Sequence, residues 1–318
     1  MPSILAHCFY GDSAIAQCGI SELMDGVRRN HGLFMLGCQG PDFFYFYHRL
    51  PWHTKRRCPQ AVKFANILHE EHINKTFSIM LREVRKSRDE KDIVYAAGFL
   101  CHWALDVICH PYVYYRTGSR VVNSGPDHRI LEAGIDRGIL NENDLKLEDY
   151  APKKLIAHSR DASRHIWKLL RPVFAEADEL NLDYWMVDES VEQFHSMYKL
   201  LHDPKGTRYR YIGFLERLFR QDGMATSLMI PVNYDEQLDP MNYRHEKWLD
   251  PCSGLEHYES FSELARRAVG LMLQMLRLYA GFLNDTVELS EILEIIGDRS
   301  FNSGSRYDLK MQYFRKDM

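Results

Sequence analysis

The sequence predicts an all-α fold, a compact helical bundle, and three observations carry that prediction. Apolar residues recur at three- and four-residue spacing in one segment after another, as amphipathic helices require. Alternating period-two runs are few, and the short β-like pieces, YVYY at 112–115 and MIPV at 229–232, are isolated. One stretch, DIVYAAGFLCHWALDVICH at 92–110, is apolar on nearly every side, as a helix at the centre of a bundle would be.

Taken in order, AVKFANILHEEHINKTFSIMLREVRKS predicts a helix over 61–87. The central helix over 92–110 should end at Pro111, because proline disfavours helical backbone at the residue before it. PDHRILEAGID opens the next helix at 126–136. Further periodic segments lie at 161–178, 189–203, 210–221, 260–285 and 287–297. Gly, Pro, Asn and aromatic residues mark 37–60, 111–127 and 222–258 as long loops. There is no internal repeat or low-complexity tract. With 318 residues, 45% of them hydrophobic, the chain can bury a sizeable core, and a single domain over 1–318 is expected.

Composition narrows the function. Charged residues make up 26% and the net charge is −4, so there is no overall basic footprint. No stable nucleic acid partner is expected, although a local site escapes such a sum. The N-terminal MPSILAHCFYGD lacks the basic and apolar regions of a signal peptide. No run approaches the roughly 18 apolar residues of a membrane span, so no transmembrane segment is expected. Seven cysteines, an odd number, lie scattered without CxxC spacing. Reduced thiols in a cytoplasmic setting are expected, and a zinc–thiolate knuckle is not.

The chemistry lies in GFLCHWALDVICHP at 98–111, which places His102, Asp106 and His110 at four-residue spacing. Four helical steps return a side chain to within roughly 40° of its start, so the three share a face. Buried polar groups must find partners, and a divalent cation would take their lone pairs. His128 and Glu132 follow at the same spacing on the next helix, and His plus carboxylate suits a divalent metal. Upstream, ANILHEEHINK offers His69, with His72 at the wetter edge, LGCQGPDFFYFY offers Asp42, and ILAHCFYGD supplies His7. Asp42 would equally suit a helix N-cap after Pro41, and His7 an ordinary partly buried histidine.

As a set these residues resemble the zinc-dependent phospholipase C family, whose helical fold is shared with S1/P1-type nucleases. LGCQGPDFFYFY, LHEEH and GFLCHWALDVICHP are similar to the short bacterial members described as phospholipase C/D domain proteins. The likeness is most specific over residues 1 to 135, with RHEKWLDP at 244–251 as a further phrase. It implies a metal site within 1–135, a helical extension over 136–318, and two or three zinc ions. His69, His102 and Asp106 would hold one ion, with Asp42 as an added ligand or as the catalytic base. Asp106 would bridge to a second ion shared with His7, and His110, His128 and Glu132 would hold a third. Secreted members complete a site with the amine and carbonyl of the first residue. Here six residues precede His7, so a water, another side chain such as His31, or a two-metal site is expected instead.

The resemblance implies a phosphodiester hydrolase acting on a phosphodiester or phospholipid substrate. Alternatives are a nuclease on the same scaffold, which TKRRCPQ at 54–60 would serve, or a non-catalytic helical protein stabilised by metal. Iron or manganese could occupy similar ligands. No extra membrane-docking domain is visible, so a lytic role is not expected. PDFFYFYHRLPWH is read as packing before cleft lining, and His245 and Trp248 as an anchored loop before a cleft cover. Glu259 is read as a helix-start carboxylate, and His158, His165, His195, His202 and His257 as ordinary histidines.

Overall fold

One helix organises the molecule. A computed structural model describes residues 4–48, 59–118, 126–150, 158–177, 180–219, 223 and 225–315. Among these are twelve α-helices and a single two-stranded ribbon. The central helix, α6, runs Glu90–Thr117. Asp89 caps its start, accepting the Lys91 amide at 2.9 Å. Around it pack α1 (Ile4–Gln17), α2 (Ser21–Arg29), α3 (His31–Cys38), α5 (Ile73–Ser87), α7 (Pro126–Glu142), α8 (Arg160–Ala177) and α11 (Phe261–Leu283). The all-α expectation holds.

α6 is the one helix among the described residues whose length and composition would also allow it to cross a membrane. It does so by length and composition only, and 89% of its most apolar window is buried inside the fold. It crosses α3 with almost no space between backbones. A Cβ at Gly37 would lie 2.3 Å from the Tyr95 carbonyl oxygen, and one at Gly98 2.4 Å from that of Phe34. Two glycines at one crossing let the end of α3 and the 39–41 turn that follows it lie directly over His102.

Three predicted boundaries differ. The helix expected over 61–87 is two: α4 (Pro59–Glu70) and α5, with His72 between them in left-handed backbone at φ 49°. The break is enforced from the far end of the chain. The Phe301 amide (2.9 Å) and the Ser300 hydroxyl (3.1 Å) both donate to the His69 carbonyl, so α4 ends there. Pro111 does not stop α6, and YVYY is helical. Proline removes one amide, and the Val107 carbonyl it would have bonded is packed against Gly304, so neighbouring structure overrides the local preference. The loop expected at 111–127 therefore begins only after residue 117, and the loop at 37–60 contains a 3₁₀ turn, Asp42–Phe46.

The C-terminal half continues with α9 (Tyr184–Leu201), α10 (Thr207–Leu218), α11 and α12 (Leu289–Ile296). Residues 225–260 are mostly irregular. They hold β1 (Trp248–Leu249) paired antiparallel with β2 (Glu256–His257) and end at the Ser260/Glu263 capping box of α11. Trp248 is buried, stacks on His257 at 4.4 Å and donates to the Glu259 carbonyl, while His245 is exposed. Glu259 pairs with Arg267 at 2.6 Å, one residue before that cap. The 244–251 phrase is an anchored loop.

Candidate metal centre

Five elements deliver the eight predicted residues to one place. α1 brings His7; the 3₁₀ turn brings Asp42; the last turn of α4 brings His69; α6 brings His102, Asp106 and His110; α7 brings His128 and Glu132. All eight are at most 7% exposed. They form three groups, Asp42–His69–His102, His7–His102–Asp106 and His110–His128–Glu132, of which the first two share His102. The partition differs from the expected one: His102, rather than Asp106, is the residue common to two groups, and Asp42 takes the place beside His69 and His102 that was expected of Asp106.

Asp106 lies at the junction. His102 Nε2 sits 3.1 Å from its Oδ2, His7 Nε2 3.2 Å from its Oδ1, and His110 Nδ1 3.5 Å from its Oδ1. His69 Nε2 is 3.1 Å from Asp42 Oδ1. Glu132 Oε1 faces His128 Nε2 at 3.1 Å and His110 Nε2 at 3.5 Å.

The tautomers follow from the other ring nitrogens. His69 Nδ1 lies 2.7 Å from the Ala65 carbonyl, His102 Nδ1 3.0 Å from that of Cys38, and His110 Nδ1 2.9 Å from that of Phe301. A carbonyl only accepts, so each Nδ1 carries a proton. His128 Nδ1 reaches Thr117 Oγ1 at 3.2 Å, whose own proton goes to Val113, so it donates too. Four imidazoles therefore turn Nε2 toward carboxylate oxygens. Neutral Nε2 would set lone pair against lone pair. The conflict is resolved by imidazolium, buried and repeated four times, or by cations between the partners. Asp42 Oδ1 and Oδ2, Asp106 Oδ2, His102 Nε2 and His7 Nδ1 are buried without a hydrogen bond, which a ligated site explains. A cavity of about 20 Å³ lies among His7, Asp106, His110 and Glu132, enough for one ion or water.

Electrostatics within the protein keep the carboxylates of the site charged. Burial opposes charge on Asp106, yet His102, His110 and His7 pull its carboxyl far below the ordinary range. Burial likewise opposes charge on Glu132, and His128 beside it with His110 still holds it well below. Burial disfavours charged His110, but Asp106 and Glu132 raise it to about 9. Burial prevails at His7 and His128, which are lowered. A donor set of five neutral-capable imidazoles and three carboxylates, with fixed Nδ1–H partners, fits divalent zinc.

A family model described as zinc dependent phospholipase C matches residues 6–199. The chain belongs to this family. The matched span contains every one of the eight residues and ends within α9. No curated protein and no solved structure matches the chain.

Other readings resolve individually. His31 binds Asp12 at 2.9 Å on the surface and is not in the three groups. His72 is exposed, as expected. Phe43, Phe44 and Phe46 pack in the core, whereas Tyr45 lies 5.6 Å over the His69 ring. Residues 49–53 of that aromatic stretch and 54–58 of TKRRCPQ fall outside the described residues.

Sequence reasoning missed the supports: the carbonyls of Cys38, Ala65 and Phe301, the Thr117 hydroxyl, and Asp136. Asp136 accepts the Ala6 amide at 2.9 Å and so holds the start of α1 on which His7 sits. It also missed a fourth His–carboxylate group, Asp89–Asp92–His165. There Lys168 already supplies the cation, 2.8 Å from Asp92. A basic residue three positions after His165 was the available signal.

Proposed function

We propose that this chain is a zinc-dependent phosphodiester hydrolase of phospholipase C type, cutting a phospholipid on the glycerol side of its phosphate. The observation that carries the reading is the set of four histidines whose Nδ1 protons are fixed and whose Nε2 atoms face carboxylates. His7, Asp42, His69, His102, Asp106, His110, His128 and Glu132 would hold two or three zinc ions. Bound there, zinc lowers the pKa of a water and offsets phosphoryl charge. The chain's own residues do the rest. Asp42, buried beside His69 with neither oxygen accepting a hydrogen bond, takes the attacking water's proton as general base. Asp106 and His102 fix the spacing of the neighbouring groups. The Ala65, Cys38 and Phe301 carbonyls hold the rings in register, and the aromatic lining from Tyr45 and Tyr114 limits access of bulk water.

The test is elemental mass spectrometry on the purified chain, followed by assay on phosphatidylcholine and phosphatidylserine. Two or three zinc equivalents, with chelator-sensitive release of diacylglycerol, is the expected result. A chain that folds and refuses zinc would overturn the site. A zinc-loaded chain that cleaves single-stranded nucleic acid and spares phospholipid would move it to the nuclease reading.

A further inference from the structure

α10 is built the wrong way round for a helix on a water-facing surface. At 100° per residue, Tyr211, Phe214 and Leu218 fall on one stripe, and Glu216 falls on the opposite side. The apolar stripe points outward: Tyr211 is 66% exposed, Phe214 58% and Leu218 63%. Phe219, just past the helix, is 68% exposed. Glu216 is the buried residue of α10, and it is consumed internally, accepting the Thr226 amide at 3.1 Å as well as the Thr226 hydroxyl and Ala225 amide.

Charge is distributed to match. Residues 205–220 contain Lys205, Arg208, Arg210, Arg217 and Arg220 against Glu216 alone, within a chain of net charge −4. Arg208 is spent on the last carbonyls of α9, donating to Lys199 and Leu200 at 3.2 and 3.1 Å. Arg210 and Arg217 lie along one flank of the apolar stripe, and neither has a carboxylate within ion-pair distance among the described residues. Exposed aromatics and leucine bordered by arginines that no carboxylate neutralises are the pattern of a helix lying in a bilayer interface beside anionic headgroups, and among the described residues Arg217 is otherwise held only by the Gly213 carbonyl of its own helix at 3.2 Å.

The position joins this face to the metal centre. Glu216 ties α10 to the 225–228 turn, Ser227 there accepts from Arg129 at 2.8 Å, and Arg129 follows His128 in the chain. Arg129, Glu132, Leu228 and Ile230 line one cavity of about 40 Å³. The exposed patch extends through Val232, which packs against Gly206 at the α10 N-cap.

We propose that α10 is an interfacial anchor that docks the chain on an anionic phospholipid surface through Tyr211, Phe214 and Leu218, with Arg210 and Arg217 on headgroup phosphates. This deepens the phospholipase reading and rests on it only for the choice of a lipid surface. Residues 207–218 lie beyond the span matched by the family model, so the anchor belongs to this chain's own C-terminal half.

The test is co-sedimentation of the full chain with phosphatidylcholine vesicles, with and without about a third phosphatidylserine. Two variants accompany it, Tyr211→Ser/Phe214→Ser/Leu218→Ser and Arg210→Gln/Arg217→Gln, with hydrolysis of soluble bis(p-nitrophenyl) phosphate measured in parallel. The wild type should partition onto the anionic vesicles. Each arginine lost should cost roughly fivefold in partitioning, and added salt should do likewise. Both variants should keep metal content and hydrolysis of the soluble diester. Wild-type binding no stronger to anionic vesicles than to neutral ones, or variants that bind as well as wild type, would overturn the anchor. So would a wild-type dimer that the triple variant dissolves without any vesicle binding, because the face would then cover a second copy. Vesicle binding without hydrolysis of any diester would leave the anchor standing and remove the phospholipase reading.

Discussion

At the scale of single residues, the strongest constraint is on Gly40. Its backbone is left-handed at φ +52°, and a Cβ there would lie 2.1 Å from the His102 ring. Gly40→Ala should therefore displace His102, cost roughly 2–3 kcal/mol in stability and lower bound metal. Gly19→Ala is the control: φ is +71°, but nothing lies within 4 Å, so only the backbone cost of about 1–2 kcal/mol should appear. Thermal unfolding with metal analysis separates the two; equal loss of metal in both would remove Gly40's role as a cradle. Carboxylates divide similarly. Asp106→Asn should lose more metal than any other single change, and activity by at least about 100-fold, because it alone meets three histidines. Asp42→Asn should cut turnover by about 10²–10⁴ while sparing most metal. A parallel loss of both would make Asp42 chiefly a ligand. The candidate ligands were legible, since His102, Asp106 and His110 repeat at helical spacing on one element. Their supports were not, because the carbonyls of Cys38 and Ala65 carry no residue-type signature.

At the scale of elements, a buried salt link clamps α8 to the start of α6. Asp92 accepts Lys168 Nζ at 2.8 Å, the Ser87 hydroxyl at 2.6 Å and His165 Nδ1 at 2.6 Å. Burial alone would raise the Asp92 carboxyl, but these three donors hold it below its ordinary 3.8. A depressed carboxylate stabilises the fold above its unfolded value, and that contribution is lost as pH falls through the folded one. Thermal stability should thus decline below about pH 4. Asp92→Asn should cost on the order of 2 kcal/mol at neutral pH and flatten that acid limb. An unchanged acid limb in Asp92→Asn would place the sensitivity elsewhere. Elements were legible where periodicity is strong, as in α11 and α12, and less so where another part of the chain decides the boundary. The 61–87 segment keeps its helical period across His72, and only Ser300 and Phe301 force the break. Pro111 reads as a stop in isolation and is carried through α6 by its tertiary surroundings. α1 to α3 are short and apolar on several sides, so period alone gave them no definite bounds.

At the scale of the whole molecule, the candidate site closes with residues far beyond the span that defines the family. Phe301 donates its amide to the His69 carbonyl, accepts from His110 Nδ1, and sets its ring 5.4 Å from His69 and 5.6 Å from His102. Nothing in the sequence near 301 announces this, because backbone groups do the bonding and 191 residues separate it from His110. The side chain is what seats those backbone groups: it is fully buried against Phe77 and Phe99. Phe301→Ala removes the seat and leaves the carbonyl free to drift from His110. It should cost about 3–5 kcal/mol and loosen metal retention by about 10-fold, since a misaligned second partner weakens ligation. Phe301→Leu keeps most of the volume and should cost under about 1.5 kcal/mol with metal retained. Titration with a competing chelator, read beside thermal unfolding, distinguishes the two effects. If Phe301→Ala unfolds more readily yet holds its metal as tightly as Phe301→Leu, the ring serves only the core, and His69 and His110 are oriented by α4 and α6 alone.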